Sequence, residues 1–471
     1  VDDLPTEPID SATSARRCQP PRCRALVPHH QDGFRRFLHS ATIFLIAVLT
    51  LRAVVIEPFG VPTGSMALTL AGNHKACQCP DCGFPIRVGQ NSGDSKSPSS
   101  SVTTCPNCGA IVDLRSATEV IGDRLLVDKN IFELRTPRRW EVAVFRNPSD
   151  LTKPYVKRVV GLPNERIQIR GGDVYINGNL LRKTLRELQP MRIPVFDTAY
   201  PLTNGNLERH WVCDAHVECP QPALCWSGDD QDPAKWVHFR NWDSATKSER
   251  PITDWFAYNG GGYRHEPSDV FDFSASFAFR HQGGNGALEF RLRDGVDEFE
   301  IVMPATGAIY GRRGKETYLG SDIALKPDRV YLVDAALVDR RVTVAIDGVV
   351  KLGPLNLNEP RYGRRPVSRP ISFRAAGLRA EIQRLTLYRD LHYTSSGRNA
   401  IYEPWQLGPN EYFMLGDNSA NSEDSRFWSI PGVPEHMFLG KPLLLHQPSR
   451  RGVFGTRELQ VIDWNRVGLI R

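Results

Sequence analysis

A chain of 471 residues has room for two or three domains, each able to bury its own core. With 41% hydrophobic and 24% charged residues it falls among globular proteins and outside the disordered, collagenous and disulfide-scaffold classes. The net charge of +6 is small for this length and no long basic run occurs, so nucleic acid is excluded as an expected partner.

Residues 1–36 are rich in Pro, Arg and Ser and read as a disordered cytoplasmic tail. The chain begins at Val1 rather than Met, as a fragment or an unusual start codon would give. Next comes the apolar run FLHSATIFLIAVLTLRAVVIEPF, Phe37 to Phe59. Only 15 residues separate Arg36 from Arg52, short of the roughly 20 that span a bilayer core. If Arg52 snorkels to the interface, the span reaches Ile56 and suffices, which gives one transmembrane helix over 37–58. Arg16, Arg17, Arg22, Arg24, Arg35 and Arg36 lie upstream and favour a cytoplasmic N-terminus, with the rest of the chain outside the cytoplasm. A cleaved signal peptide has a similarly short apolar core, but no convincing small-x-small cleavage site follows. No second run of this kind occurs, so a single anchor is expected.

Directly after the run stands EPFGVPTGSMALTL, Glu57 to Leu70, which is compact, apolar and held by two prolines. A linker would be polar and loose. This stretch either packs against something or presents Ser65. A cysteine block follows over 72–118, broken by the Gly- and Ser-rich linker Gly89 to Ser101. Its Cys79-Pro-Asp-Cys82-Gly and Cys105-Pro-Asn-Cys108-Gly knuckles, with 22 residues between the pairs, have the spacing of a zinc-ribbon-like site. Four thiolates leave no open position for water, so such a zinc is structural. The extracytoplasmic side argues the other way, since cysteines there can oxidise, with Cys77 a further partner.

Short strand-like runs punctuated by Gly, Pro and Asn then follow: Gly122 to Asn130, Trp140 to Pro148, Tyr155 to Ile169 and Gly171 to Asn179. Ile176-Asn177-Gly178 is a hairpin signal. From 185 to 394 the character changes. Phe271, Phe273, Ala275, Phe277 and Phe279 alternate with mostly polar neighbours, as in a strand with one buried face. Leu288, Phe290 and Leu292 lead into Asp294-Gly295, and Val342, Val344 and Ile346 lead into Asp347-Gly348. Repeated strands with such turns argue for an inserted β-sandwich. Its strand spacing and closing run Ile382 to Asp390 weakly resemble concanavalin-like or laminin-G-like domains. Cys213, Cys219 and Cys225 form an odd set, read as one disulfide plus a free thiol. After the sandwich, Asn410 to Trp428 returns to the earlier Gly/Asp/Asn-rich style. The expected fold is mainly β: a β domain over 59–184 and 395–471 behind one helix, with the sandwich inserted over 185–394.

A serine is a weak nucleophile and needs a base, either histidine or a lysine kept neutral. His74, His436 and His446 carry no accompanying motif. Lys157 lies inside the apolar run Tyr155 to Val160, where desolvation would disfavour its ammonium form. On composition alone an ordinary solvent-facing lysine is the better fit, since lysine is rarely buried.

The joint pattern separates the two. Pro-Thr-Gly-Ser-Met (62–66), Gly-Asp-Arg-Leu-Leu-Val-Asp-Lys (122–129), Lys-Arg-Val-Val-Gly-Leu-Pro-Asn-Glu (157–165), Gly-Asp-Val-Tyr-Ile-Asn-Gly (172–178) and Gly-Asp-Asn-Ser-Ala-Asn-Ser-Glu-Asp-Ser-Arg (416–426) occur in that order behind an anchor. This closely resembles the type I (leader) signal peptidases of bacteria, over roughly 40–70, 119–184 and 400–471. The resemblance implies Ser65 as nucleophile and Lys157 as general base, with no cofactor for catalysis. Thr63 stands where the family usually has an oxyanion-hole serine. Ser422 matches the serine that orients the lysine amine. Asp424 and Arg426 match a supporting charged pair, Arg158 follows the lysine, and Gly416, Asp417 and Asn418 shape the turn. Ala67-Leu68 departs from the family's usual acidic or polar residue and proline. The implied substrates are exported pre-proteins with small residues before the cut, at the inner (cytoplasmic) membrane, with the lipid bilayer and the protein export channel as further partners. Two alternatives remain: an inactive anchored glycan- or protein-binding protein, and a self-cleaving repressor-type peptidase, which the anchor and the lack of a DNA-binding motif oppose.

Overall fold

The computed structural model describes residues 30–90, 101–202, 210–214, 224–226, 236–244, 246–260, 266–360, 363–445, 449–454, 457–462 and 467–470. The tail up to residue 29, most of the Gly89 to Ser101 linker, Cys219 and His446 lie outside them.

The N-terminal unit is one helix, His30–Val54, whose Gly33–Thr50 stretch is long and apolar enough to cross a membrane. The expected bounds of 37–58 need correction at both ends. The helix continues upstream through Arg35 and Arg36, because exposed arginines satisfy a helical backbone as well as apolar residues do. It stops before Ile56, because Ile56–Gly60 is an edge strand paired antiparallel with Arg124–Asp128, Glu57 opposite Val127.

The rest is mainly β, as the sequence leads one to expect. The sheet that carries the candidate site has, in order, Ile56–Gly60, Arg124–Asp128, Phe438–Leu445, Val142–Asn147, Asp150–Gly161, Glu411–Leu415 and Gly432–Pro434, with Gly468–Leu469 alongside Phe438–Leu445. Residues of its strands fill two buried clusters, one with Leu125, Val127, Val142 and Val144 packed on Met66 and Leu70 of the loop after Gly60, the other with Phe145, Val159, Tyr412 and Met414. Strands from both ends of the chain interleave here, so residues far apart in sequence lie side by side.

A four-stranded sheet shows where the chain leaves and returns. Arg166–Arg170 pairs on one side with Asp173–Ile176 and on the other with Trp405–Gln406. The turn after Ile176 has positive φ at both Asn177 and Gly178, the geometry that an Asn-Gly pair supplies cheaply in a two-residue hairpin. Between departure and return lie two seven-stranded sheets over one core. Phe273, Ala275, Phe277 and Phe279 are buried in it on alternate positions, facing Leu288, Phe290, Leu292 and Phe373. Cys213 is disulfide-bonded and Cys225 is a free, exposed thiol.

Buried ion pairs tie these layers to the strands before them. Lys183 reaches Asp339 at 2.8 Å and Asp390 at 2.7 Å, and Arg364 stands between Asp173 and Asp272 at 3.3 and 3.4 Å. In the cysteine block, Pro85–Gly89, His74–Gln78 and Thr118–Val120 form a small sheet, and Val102–Thr104 with Ile111–Asp113 forms a hairpin.

Candidate active site

Lys157 lies within the Asp150–Gly161 strand, opposite Ala143 on one neighbour and one register step from Leu415 on the other, where Leu415 faces Arg158. That placement buries the amine, leaving 3% of the residue exposed. Lys157 Nζ donates to Ser65 Oγ at 2.6 Å. Burial pushes the amine down from the usual 10.5 to about 8; Asp424 pulls it back up and Arg426 pushes it down again. An amine that is neutral in part at neutral pH, within hydrogen-bond distance of a hydroxyl, can take that hydroxyl's proton.

Ser65 sits in a compact loop folded back on itself, with Ala67 N bonded to Gly64 O and Leu70 N to Met66 O. Its neighbours are fixed from two directions. Asp123, fully buried, accepts from Ala71 N at 2.7 Å, while its backbone pairs with both Ala71 and Val61. From the other side, the Asn418 backbone N–H donates to Ser65 O at 3.0 Å and the Asn418 side chain donates to Gly64 O at 2.9 Å. Gly416 must be glycine here, because a Cβ would fall 2.1 Å from Ser422 Oγ and 2.5 Å from Ser65 O.

Other residues singled out in the sequence lie close by. Arg158 and Asp417 form a fully buried, two-point ion pair, Nε to Oδ1 at 2.7 Å and Nη2 to Oδ2 at 2.6 Å. Arg158 also donates to Trp140 O at 2.6 Å, and Thr69 donates to Asp417 at 2.5 Å. Against burial, which works the other way, Asp417 raises the Arg158 pKa. Asp424 and Arg426 form a second buried pair at 2.8 Å. Burial alone would raise the Asp424 carboxyl, but Arg426 holds it below the usual range. Asp424 also accepts from Gly416 N at 3.1 Å, and Arg426 reaches Thr394 and Ser419. Ser422 is buried beside Gly416, yet its hydroxyl has no hydrogen-bond partner among the described residues. Thr63 is exposed at the entrance to the loop.

Three participants are not singled out by the sequence. Asp123 belongs to the Gly122 to Lys129 run but nothing in that run marks it as a loop anchor. Asn259 and Tyr258 lie in the inserted region, far along the chain from the Ser65 loop and the 416–426 turn.

The four cysteines of the paired knuckles are buried free thiols with all sulfurs within 4.8 Å of one another. Cys79 Sγ lies 3.5 Å from Cys108 Sγ, and Cys82 Sγ 3.7 Å from Cys105 Sγ. With Zn–S bonds of about 2.3 Å, a tetrahedral site has sulfurs about 3.8 Å apart, so this donor set fits zinc in number, type and size.

Comparison with known proteins gives a consistent picture. Among curated relatives, a probable signal peptidase I-2 of Synechocystis sp. is 32% identical over 108 residues, covering 20% of this chain and 47% of that protein. Signal peptidase I of Pseudomonas fluorescens is 31% identical over 147 residues, 31% of this chain and 39% of that one. The chain thus spans less than half the length of these relatives. Among solved structures, the exoplasmic/lumenal domain of VIP36 shares 12% identity at a TM-score of 0.27, covering 43% of this chain and 95% of that one, too low to carry an argument. The family described as "Signal peptidase, peptidase S26" matches residues 113–218 and 298–445, a range that includes Lys157 and the 416–426 turn and does not reach Ser65. Since that match takes in more than half of the chain, the protein belongs to the signal peptidase, peptidase S26, family.

Proposed function

We propose that this chain is a membrane-anchored serine endopeptidase that removes signal peptides from exported pre-proteins by a Ser65/Lys157 dyad. The observation that carries the reading is the 2.6 Å contact between Ser65 Oγ and a buried Lys157 amine whose pKa is brought down to about 8. Neutral Lys157 takes the Ser65 proton as Ser65 Oγ attacks the scissile carbonyl. The Thr63 hydroxyl and the Ser65 backbone N–H stabilise the oxyanion. The ammonium of Lys157 then protonates the departing amine, leaving an ester on Ser65. Water, its proton taken by Lys157, attacks that ester and frees Ser65. The Asp424–Arg426 and Arg158–Asp417 pairs keep the strand and turn in register, while the Ser422 hydroxyl, without a hydrogen-bond partner among the described residues, does not bond the Lys157 amine in this structure. None of these steps needs a cofactor.

Gly33–Thr50 is the proposed anchor, with residues before it in the cytoplasm and the catalytic domain (59–184 and 395–471) outside. Ser65 follows the anchor by 15 residues, which suits a substrate whose own cleavage site emerges beside a membrane segment, at the export channel. Incubating the full chain in lipid vesicles with a pre-protein bearing Ala-x-Ala is expected to give one product that begins directly after the second alanine. Ser65→Ala is expected to give none; product from Ser65→Ala equal to wild type would remove Ser65 as the nucleophile, and no product from wild type itself would support the inactive, ligand-binding alternative.

The cysteine block over 72–118 is proposed to hold one structural zinc through Cys79, Cys82, Cys105 and Cys108. Purified chain is expected to carry about one zinc per molecule, released when Cys105→Ser is introduced. Zinc content near zero together with four unreactive cysteines under non-reducing conditions would instead favour disulfides.

A further inference from the structure

One segment of the inserted region, Trp255 to Gly260, reaches the loop that carries Ser65. Phe256 and Tyr258 are buried with Ala67 and Ala71, with Leu68 packed on them. The Tyr258 ring lies so close to Gly64 that a Cβ there would come within 2.4 Å of it. Asn259 is 7% exposed, and its amide makes three hydrogen bonds. It donates to Asn418 Oδ1 at 2.8 Å and accepts from Asn418 Nδ2 at 2.7 Å and from Asn421 Nδ2 at 2.8 Å. Asn418 is the residue whose backbone and side chain hold the carbonyls of Ser65 and Gly64.

We propose that Asn259 is a positioning residue for Ser65, acting through Asn418, so that the inserted region completes the active site of this chain. A segment that only packed would meet the loop through apolar contact, as Phe256 does. Asn259 instead fixes the rotation of the Asn418 amide by a reciprocal pair, and that rotation decides whether Nδ2 points at Gly64 O. With Asn259 gone, Asn418 Oδ1 loses its donor and the amide can turn. The Ser65 loop then loses one of the two bonds that Asn418 gives it, the one to Gly64 O, and Ser65 Oγ loses its fixed distance to Lys157. Small losses of alignment at a nucleophile reduce turnover steeply while leaving remote substrate binding intact.

The inference rests on the Ser65/Lys157 reading, and the experiment separates the two. Full-length Asn259→Ala in vesicles, assayed on a pre-protein, is expected to lose about tenfold in kcat with KM within about twofold. Asn241→Ala, in the same region but with a side chain that donates to the backbone of Arg250 and Pro251, is expected to keep wild-type kcat. Adding Asn259→Ala to Asn418→Ala is expected to cost nothing further, since the route through Asn418 is already lost. Should Asn259→Ala not fold, Asn259→Asp, which keeps both accepted bonds, decides: a few-fold loss in kcat supports the role, and wild-type kcat overturns it. Wild-type kcat in Asn259→Ala, or an equal loss in the Asn418→Ala background, also overturns it. If Ser65→Ala cleaves like wild type, the dyad reading fails; a dead Ser65→Ala beside an unaffected Asn259→Ala sinks only this inference.

Discussion

Lys157→Met is expected to lower kcat for pre-protein cleavage by about a thousandfold or more while leaving the chain folded, because a positioned general base contributes about 10²–10⁴ in rate. Methionine has nearly the length of lysine and suits a site with 3% exposure, so the loss reports chemistry rather than collapse. The sign of the stability change follows from the pKa. The folded-state value lies near 8, below the usual 10.5, so the fold resists the ammonium form. Stability is therefore lost as pH falls from about 10.5 to about 8 and stays at its lower level below that. Replacing the lysine by an apolar side chain removes this penalty. Lys157→Met should melt no lower than wild type at pH 7, and a variant that both melts lower and cleaves less would point to a packing role instead. Lys157→Arg should be equally inactive, since a guanidinium does not become neutral in this range.

The second large effect concerns stability. Arg158→Met is expected to destabilise the chain by about 3–5 kcal/mol, since it leaves the Asp417 carboxylate buried without its cation. Urea unfolding of detergent-solubilised protein would read this as a lower midpoint. Adding Asp417→Leu should restore much of the midpoint, because an apolar pair avoids the desolvation cost that the lone carboxylate bears. Activity should not return with it, because the turn that presents Asn418 to Ser65 O depends on Asp417 being held against the Lys157 strand. Equal midpoints for wild type and Arg158→Met would contradict the account of this pair.

Much of the site is legible in the sequence, but for different reasons at different residues. Ser65 and Lys157 stand 92 positions apart, and no periodicity links them; five short motifs in order do. The knuckles Cys79/Cys82 and Cys105/Cys108 are legible from spacing alone, because two tight turns each present two sulfurs to one point. The alternation from Phe273 to Phe279 shows a strand with a buried face, and the structure puts that face in the core. It cannot show that this strand lies between Arg379–Arg389 and Val330–Val338, since pairing between distant strands depends on the whole core. The helix bounds shifted for a physical reason as well. Charge marks where a membrane span ends, whereas hydrogen bonding decides where a helix ends, and Ile56 was claimed by a neighbouring strand. Asn259 was invisible because its meaning lies wholly in Asn418, which the fold brings to it across 159 positions.

The most direct test of the dyad is the pH dependence of kcat/KM for one pre-protein substrate between about pH 6 and about pH 10. Only the neutral amine can accept the Ser65 proton, so the rate is predicted to climb about tenfold per pH unit and to level off above about 8. A flat profile, or a rising limb centred near the about 6.5 of an ordinary histidine, would contradict Lys157 as the base.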